Sequence, residues 1–244
     1  MNARQLAGEN LAERIASNPY PGRGLVLGKD ERGERLVQVY WIMGRSQNSR
    51  NRVFETDGKA VWTEAADPYL CKDPSLIIYR AMAELRGAFI VSNGDQTDTI
   101  RDTLVAGGTF EQALLTRTFE PDAPNYTPRI AGLFDLRVGE VVAKLGLVRR
   151  CPHTSSPQRF FWHYRDIPPG TGYCITTYSG DGDPLPPFEG EPYLVPIVGE
   201  LGCIANTLWG KLDEDNRISL CAKAVDPATL ESELVVLNKY AKKA

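Results

Sequence analysis

Three arginines stand within eight residues in Gly44-Arg-Ser-Gln-Asn-Ser-Arg-Asn-Arg52, with no carboxylate among them. Arg45, Arg50 and Arg52 each present a planar fork suited to bidentate contact with a phosphate or a carboxylate. Ser46, Asn48, Ser49 and Asn51 add further donors, although the same loop also reads as a solvated basic turn. A second polar string, Ser92-Asn-Gly-Asp-Gln-Thr-Asp98, falls where a strand passes into a helix. Its Gly94 allows a sharp turn or a close backbone approach. Its hydroxyl, amide and N–H groups suit an anion or polar ligand at a helix N-terminus. The spacing is not that of a phosphate-binding loop, and an ordinary turn capped by Asp98 explains the string as well. The third string is Glu120-Pro-Asp-Ala-Pro-Asn-Tyr-Thr-Pro-Arg129. Prolines at 121, 124 and 128 restrict the path and would hold Glu120 and Arg129 in place, as site wall or as plain connector.

Other chemistries find little support. Cys151-Pro-His153 has no second ligand pair nearby, and with only two histidines (the other is His163) neither a zinc site nor a Ser-His-Asp triad is expected. Tyr178, in Thr176-Thr-Tyr-Ser179, is retained as a candidate ligand contact, whereas Trp162, Tyr164 and Tyr173 read as core and rim. Lys+Arg 28 against Asp+Glu 31 gives a net charge of −3, which argues against a general nucleic-acid partner. With 42% hydrophobic and 24% charged residues, the chain is neither disordered nor membrane-spanning, and no signal-peptide stretch opens it. Five scattered cysteines read as buried thiols in a reducing cytoplasm.

The elements that must carry these strings follow from periodicity and turn residues. A helix to Ser17 precedes a hairpin of strands 24–29 and 35–43, then a second hairpin across 53–64 around Asp57-Gly58. Residues 75–92 read either as a helix capped by Asp73-Pro74 or as a strand turning at Arg86-Gly87, and the strand is preferred because Ile77, Tyr79, Ala81 and Ala83 alternate. One helix begins at Asp98, and Thr109-Phe-Glu-Gln112 opens another to about Thr118 with capping-box spacing. Strands follow from Pro128, then a proline-rich loop over 181–196, a helix over 200–212, and strands near 218–225 and 234–238. The expectation is one α+β domain over residues 1–244, built of stacked layers.

Taken in order, several strings resemble the stand-alone IMP cyclohydrolase family. They are Asn18-Pro-Tyr-Pro-Gly-Arg-Gly24, Tyr40-Trp-Ile-Met-Gly-Arg-Ser46 with Arg50-Asn-Arg52, and Ser92-Asn-Gly-Asp-Gln-Thr-Asp-Thr99. Thr127-Pro-Arg-Ile-Ala131, Ile175-Thr-Thr-Tyr178 and Asp215-Asn-Arg-Ile-Ser219 continue the likeness. The resemblance implies a four-layer αββα sandwich similar to the Ntn hydrolases, without their N-terminal nucleophile, since the chain starts Met1-Asn2. It implies the last step of purine biosynthesis, in which 5-formamidoimidazole-4-carboxamide ribotide loses water and closes to IMP. Family active-site positions match Arg52, Tyr79 and Glu120, with Arg50 an alternative to Arg52. Asn93, Asp95, Thr97 and Arg129 would then bind base, ribose or phosphate. A small-molecule nucleotide substrate, no metal or other cofactor, and a cytoplasmic setting are expected. A homo-oligomer is left open. Two rivals are a related cyclic-amide hydrolase and a nucleotide-binding protein of the same fold without catalysis.

Overall fold

The computed structural model describes residues 2–71, 73–137, 139 and 141–243. Helix α1 (Ala3–Asn10) starts with reciprocal capping between Asn2 and Gln5 and continues as a π-helical segment, Leu11–Ala16. Strands β1 (Gly24–Lys29) and β2 (Leu36–Met43) form a hairpin. A single helical turn, α2 (Gln47–Arg50), leads to the hairpin of β3 (Val53–Thr56) and β4 (Val61–Glu64). Next come β5 (Arg80–Leu85), β6 (Ala88–Ser92), α3 (Gln96–Val105) and α4 (Phe110–Leu115). The chain proceeds through β7 (Arg129–Asp135), β8 (Val142–Arg150), β9 (Pro157–Tyr164), β10 (Thr171–Thr176) and β11 (Tyr193–Pro196). It closes with α5 (Leu201–Lys211), β12 (Arg217–Val225) and β13 (Ser232–Asn238).

Two antiparallel sheets result, one ordered β11-β10-β1-β2-β12-β13 and the other β3-β4-β5-β6-β7-β8-β9. Helices α1 and α5 cover the outer face of the first, and α3 and α4 that of the second. The layers are therefore helix, sheet, sheet, helix, as expected for the α+β sandwich. Covering both faces explains why β2 (LVQVYWIM) is buried at every position. The sheets meet closely where Gly132 of β7 faces β1, since a methyl there would lie 3.2 Å from Leu25 and 3.3 Å from Leu27. Two polar side chains that enter the inter-sheet space find a partner across it. Gln38 donates to the Phe89 carbonyl at 3.0 Å, and Lys223 of β12 meets Glu84 of β5 at 2.5 Å.

Some expectations need correcting. The strand foreseen from Ser75 begins only at Arg80, because the Thr63 hydroxyl takes the ladder's place, donating to Ile77 and accepting the Tyr79 N–H. Asp98 is not the cap of α3. The helix starts one turn earlier, after Asp95, and Asp98 instead pairs with Arg101 and Arg80. The next helix has the foreseen Thr109–Gln112 capping box but stops at Leu115, short of Thr118. The proline-rich loop ends in a strand, β11, paired with β10. Only Cys174 and Cys221 are buried thiols. Cys203 is exposed, because it lies off the stripe Leu201, Ile204, Ala205 and Leu208 by which α5 packs.

Candidate active site

The start of β1 and the ends of β2 and β10 lie together at one end of the first sheet, with Gly24 opposite both Trp41 and Thr176. The end of β6 and the start of β7 share one end of the second sheet, with Ser92 opposite Ala131. The segments leading into β1 and β7, the β2–β3 and β10–β11 connections and part of the β4–β5 connection line a cleft of about 320 Å³. Among its lining residues are Tyr20, Arg23, Arg45, Arg52, Glu120 and Tyr178.

Arg23 and Glu120 form its buried centre. Arg23 Nη2 donates to Glu120 Oε2 at 2.9 Å, with their side chains 11% and 3% exposed. Burial raises the Glu120 carboxyl above the usual carboxylate range, and Arg23 opposes that rise. Burial alone would favour a neutral Arg23, but Glu120, Tyr79, Tyr40 and Tyr178 push its pKa well above the ordinary arginine value. The connector holding Glu120 is tied to itself more firmly than its prolines alone would ensure. Glu120 N–H donates to the Thr127 carbonyl at 2.9 Å, and Asp122 accepts both the N–H and the hydroxyl of Thr127. The Tyr178 and Thr127 hydroxyls lie 2.5 Å apart, so this connector is joined to the end of the first sheet.

Arg52 supplies a second buried cation on the cleft wall. Its Nε donates to Ser49 O at 2.7 Å and Nη2 to Met43 O at 3.0 Å. Among the described residues it has no carboxylate partner, and its Nη1 has no acceptor. Arg45 lies at the exposed rim over the Tyr20 ring, 4.9 Å from its centroid, and pairs with Asp181. Arg50 turns away from the cleft, to Gly44 O and Asn216 Oδ1.

A profile described as IMP cyclohydrolase-like protein matches residues 20–229. The chain belongs to this family. A curated relative, the IMP cyclohydrolase of Methanopyrus kandleri, is 30% identical over 163 residues, covering 66% of this chain and 75% of the relative. Every residue lining the cleft, from Tyr20 to Leu185, lies inside the span matched by the IMP cyclohydrolase-like family.

The remaining sequence candidates of this family member stand behind the cleft. Asn93 is buried and saturated. Its Nδ2 donates to Pro128 O, and its Oδ1 accepts from Ile130 N and Gln96 Nε2. Thr97 is turned to Ser92, hydroxyl to hydroxyl at 2.6 Å. Arg129 reaches Thr118 O, Asp95 Oδ1 and Gln96 Oε1, and Asp95 also pairs with Arg117. Gly94 leaves room for the Arg129 side chain, since a methyl there would stand 2.8 Å from Nη1. Tyr79 lies in the inter-sheet core with its hydroxyl 2.6 Å from that of Tyr40. Only one of those two phenolic hydrogens can serve the pair, so the second has no acceptor among the described residues. Sequence reasoning gave no role to Arg23 or Tyr20. The available signal was an arginine held between glycines in Pro21-Gly-Arg-Gly24, directly before a strand.

Proposed function

We propose that this chain closes the ring of IMP, converting 5-formamidoimidazole-4-carboxamide ribotide and releasing water. The observation that carries this reading is a buried, cation-paired carboxylate, Glu120, on a cleft whose wall also holds Arg52, a cation without a counter-ion among the described residues. The reacting nitrogen and carbon sit on one imidazole ring, so the cleft need only rotate formamide and carboxamide into contact. The carboxamide nitrogen bonds to the formyl carbon while Glu120 takes one of its protons. The formyl oxygen becomes a hydroxyl and leaves as water, its two hydrogens coming from the carboxamide, by way of Glu120, and from the formamide N–H. Tyr79 does not line the cleft. What supports it as donor to the formyl oxygen is the phenolic hydrogen that its pair with Tyr40 leaves unused, available from behind the wall as negative charge develops there. Arg52, with Arg45 at the rim, is the reading for the phosphate. The Tyr20 and Tyr178 rings, 6.0 Å apart and near parallel, offer apolar faces to the base. Asn93, Asp95, Thr97 and Arg129 support the site from behind. Among the described residues no helix is long and apolar enough to cross a membrane. A cytoplasmic setting completes the proposal. The test is the ultraviolet change on adding the formamido ribotide. Conversion to IMP supports the reading, while tight binding without conversion would leave a nucleotide-binding protein in its place.

A further inference from the structure

The arginine at position 23 is fixed more firmly than a surface arginine before a strand would be. Gly22 precedes it with φ +72°, and a methyl there would come 2.3 Å from Thr177 Oγ1 and 2.5 Å from the Tyr178 ring. Only glycine accepts both that conformation and that contact. Arg23 N–H then donates to Thr177 Oγ1 at 3.1 Å, while Thr177 N–H donates to Arg23 O at 2.8 Å. With the backbone clamped, the guanidinium is shared between two acceptors on connections of the second sheet, Glu120 Oε2 at 2.9 Å in the segment leading to β7 and the Asn93 carbonyl at 3.2 Å just after β6. Glu120 Oε1 has no protein donor among the described residues. One oxygen of the carboxylate is therefore held and the other is left for a proton from outside the protein.

We infer that Arg23 is the positioning residue of the reaction: it aims Glu120 into the cleft and keeps it in the anionic form that accepts the carboxamide proton. This rests on the cyclohydrolase reading above. A carboxylate buried this far, without its cation, would take up a proton and lose its function as base. The Asn93 carbonyl matters because it leaves the guanidinium one orientation. The β6–α3 corner thus acts on the chemistry through Arg23, without touching substrate.

The experiment compares wild type, Arg23→Gln and Arg23→Lys in two measurements, turnover against pH and infrared titration of the Glu120 carboxyl, assigned by difference from Glu120→Gln. In Arg23→Gln, kcat at neutral pH should fall by about 10²-fold or more, the order of a general acid–base contribution. Its acidic limb should move up by about 1–3 pH units, as expected when a neighbouring opposite charge is lost. IMP affinity should change less than tenfold. Arg23→Lys, keeping the charge but not the fork, should retain the wild-type limb with a smaller loss of kcat. A lowered melting temperature with an unmoved limb and an unmoved Glu120 titration would overturn the inference, as would a loss confined to IMP binding. If wild type itself does not cyclise, the function reading fails, and the infrared titration still decides whether Arg23 governs the charge of Glu120.

Discussion

Glu120 and Arg52 both line the cleft, but they call for different measurements because one is placed to move a proton and the other to hold an anion. Glu120→Gln keeps the shape of the side chain and its contact with Arg23 while removing the basic oxygen that accepts and passes on the proton. Turnover should fall about 10²–10⁴-fold, with IMP affinity changed less than tenfold. If Glu120 merely braces the 120–128 connector, the same variant would melt earlier and turn over almost normally per folded molecule. Arg52→Ala should weaken IMP binding by about 2–5 kcal/mol if the guanidinium pairs with a desolvated phosphate. It should weaken the dephosphorylated nucleoside far less, and equal losses for the two ligands would remove the phosphate from this arginine. Arg50→Ala is the companion variant. Its guanidinium is spent on Gly44 O and Asn216 Oδ1, away from the cleft, so nucleotide affinity should stay near wild type while stability falls slightly. The family resemblance left Arg50 and Arg52 as alternatives. They are separated by the single turn Gln47–Arg50, whose rotation sends one toward β12 and the other into the cleft. A four-residue helix of polar residues has no periodicity from which that rotation can be read.

At the scale of elements, hairpins and layers were legible because strands buried on both faces read as apolar runs and turns carry glycine or aspartate. The polar corner between β6 and α3 was harder. Ser92 to Asp98 has the composition of a ligand-binding loop, yet Asn93, Gln96 and Thr97 bond to Pro128, Ile130 and Ser92. A sequence shows that such groups need partners but not whether the partner is protein or ligand. Arg23 went unnoticed for the converse reason, being one arginine in a turn with no charged neighbour in sequence; its partner Glu120 is 97 residues away. The corner can be tested as an element. Asn93→Ala strands the Ile130 N–H and the Pro128 carbonyl, both buried, at about 1–3 kcal/mol for each unsatisfied group, while the Gln96 amide keeps its bond to Ile130 O. Stability to urea should therefore drop, and kcat should drop with it because the strand end carrying the Asn93 carbonyl shifts under Arg23. Should Asn93 contact substrate directly, nucleotide affinity would fall in a protein of normal stability.

Over the whole molecule, the two ends of the sandwich use buried charge differently. At the cleft end, Arg23 and Glu120 come from the connections leading into β1 and β7, strands of opposite sheets, and border open space. Farther along the strands Lys223 and Glu84 also come from opposite sheets, but nothing opens onto Lys223, whose side chain is 0% exposed. Its ammonium meets Glu84 and the Lys59 carbonyl, and Glu84 also accepts from Ser232 at 2.8 Å. Burial lowers the Lys223 pKa, with Glu84 opposing, so the ion pair is held at a desolvation cost. Glu84→Leu alone should destabilise the fold by about 3–5 kcal/mol, because it leaves a buried ammonium without its counter-ion. Combining it with Lys223→Met replaces the pair by apolar side chains and should recover most of that loss. Urea melts of wild type, both single variants and the double variant complete the cycle. Cyclisation per folded molecule should be unchanged throughout, since Lys223 and Glu84 sit near the β5–β6 turn and not at the strand ends that carry Arg23, Arg52 and Glu120. A double variant as unstable as Glu84→Leu would mean that the pair fixes how the two sheets face each other. Its loss would then reach the cleft as reduced turnover in the folded protein.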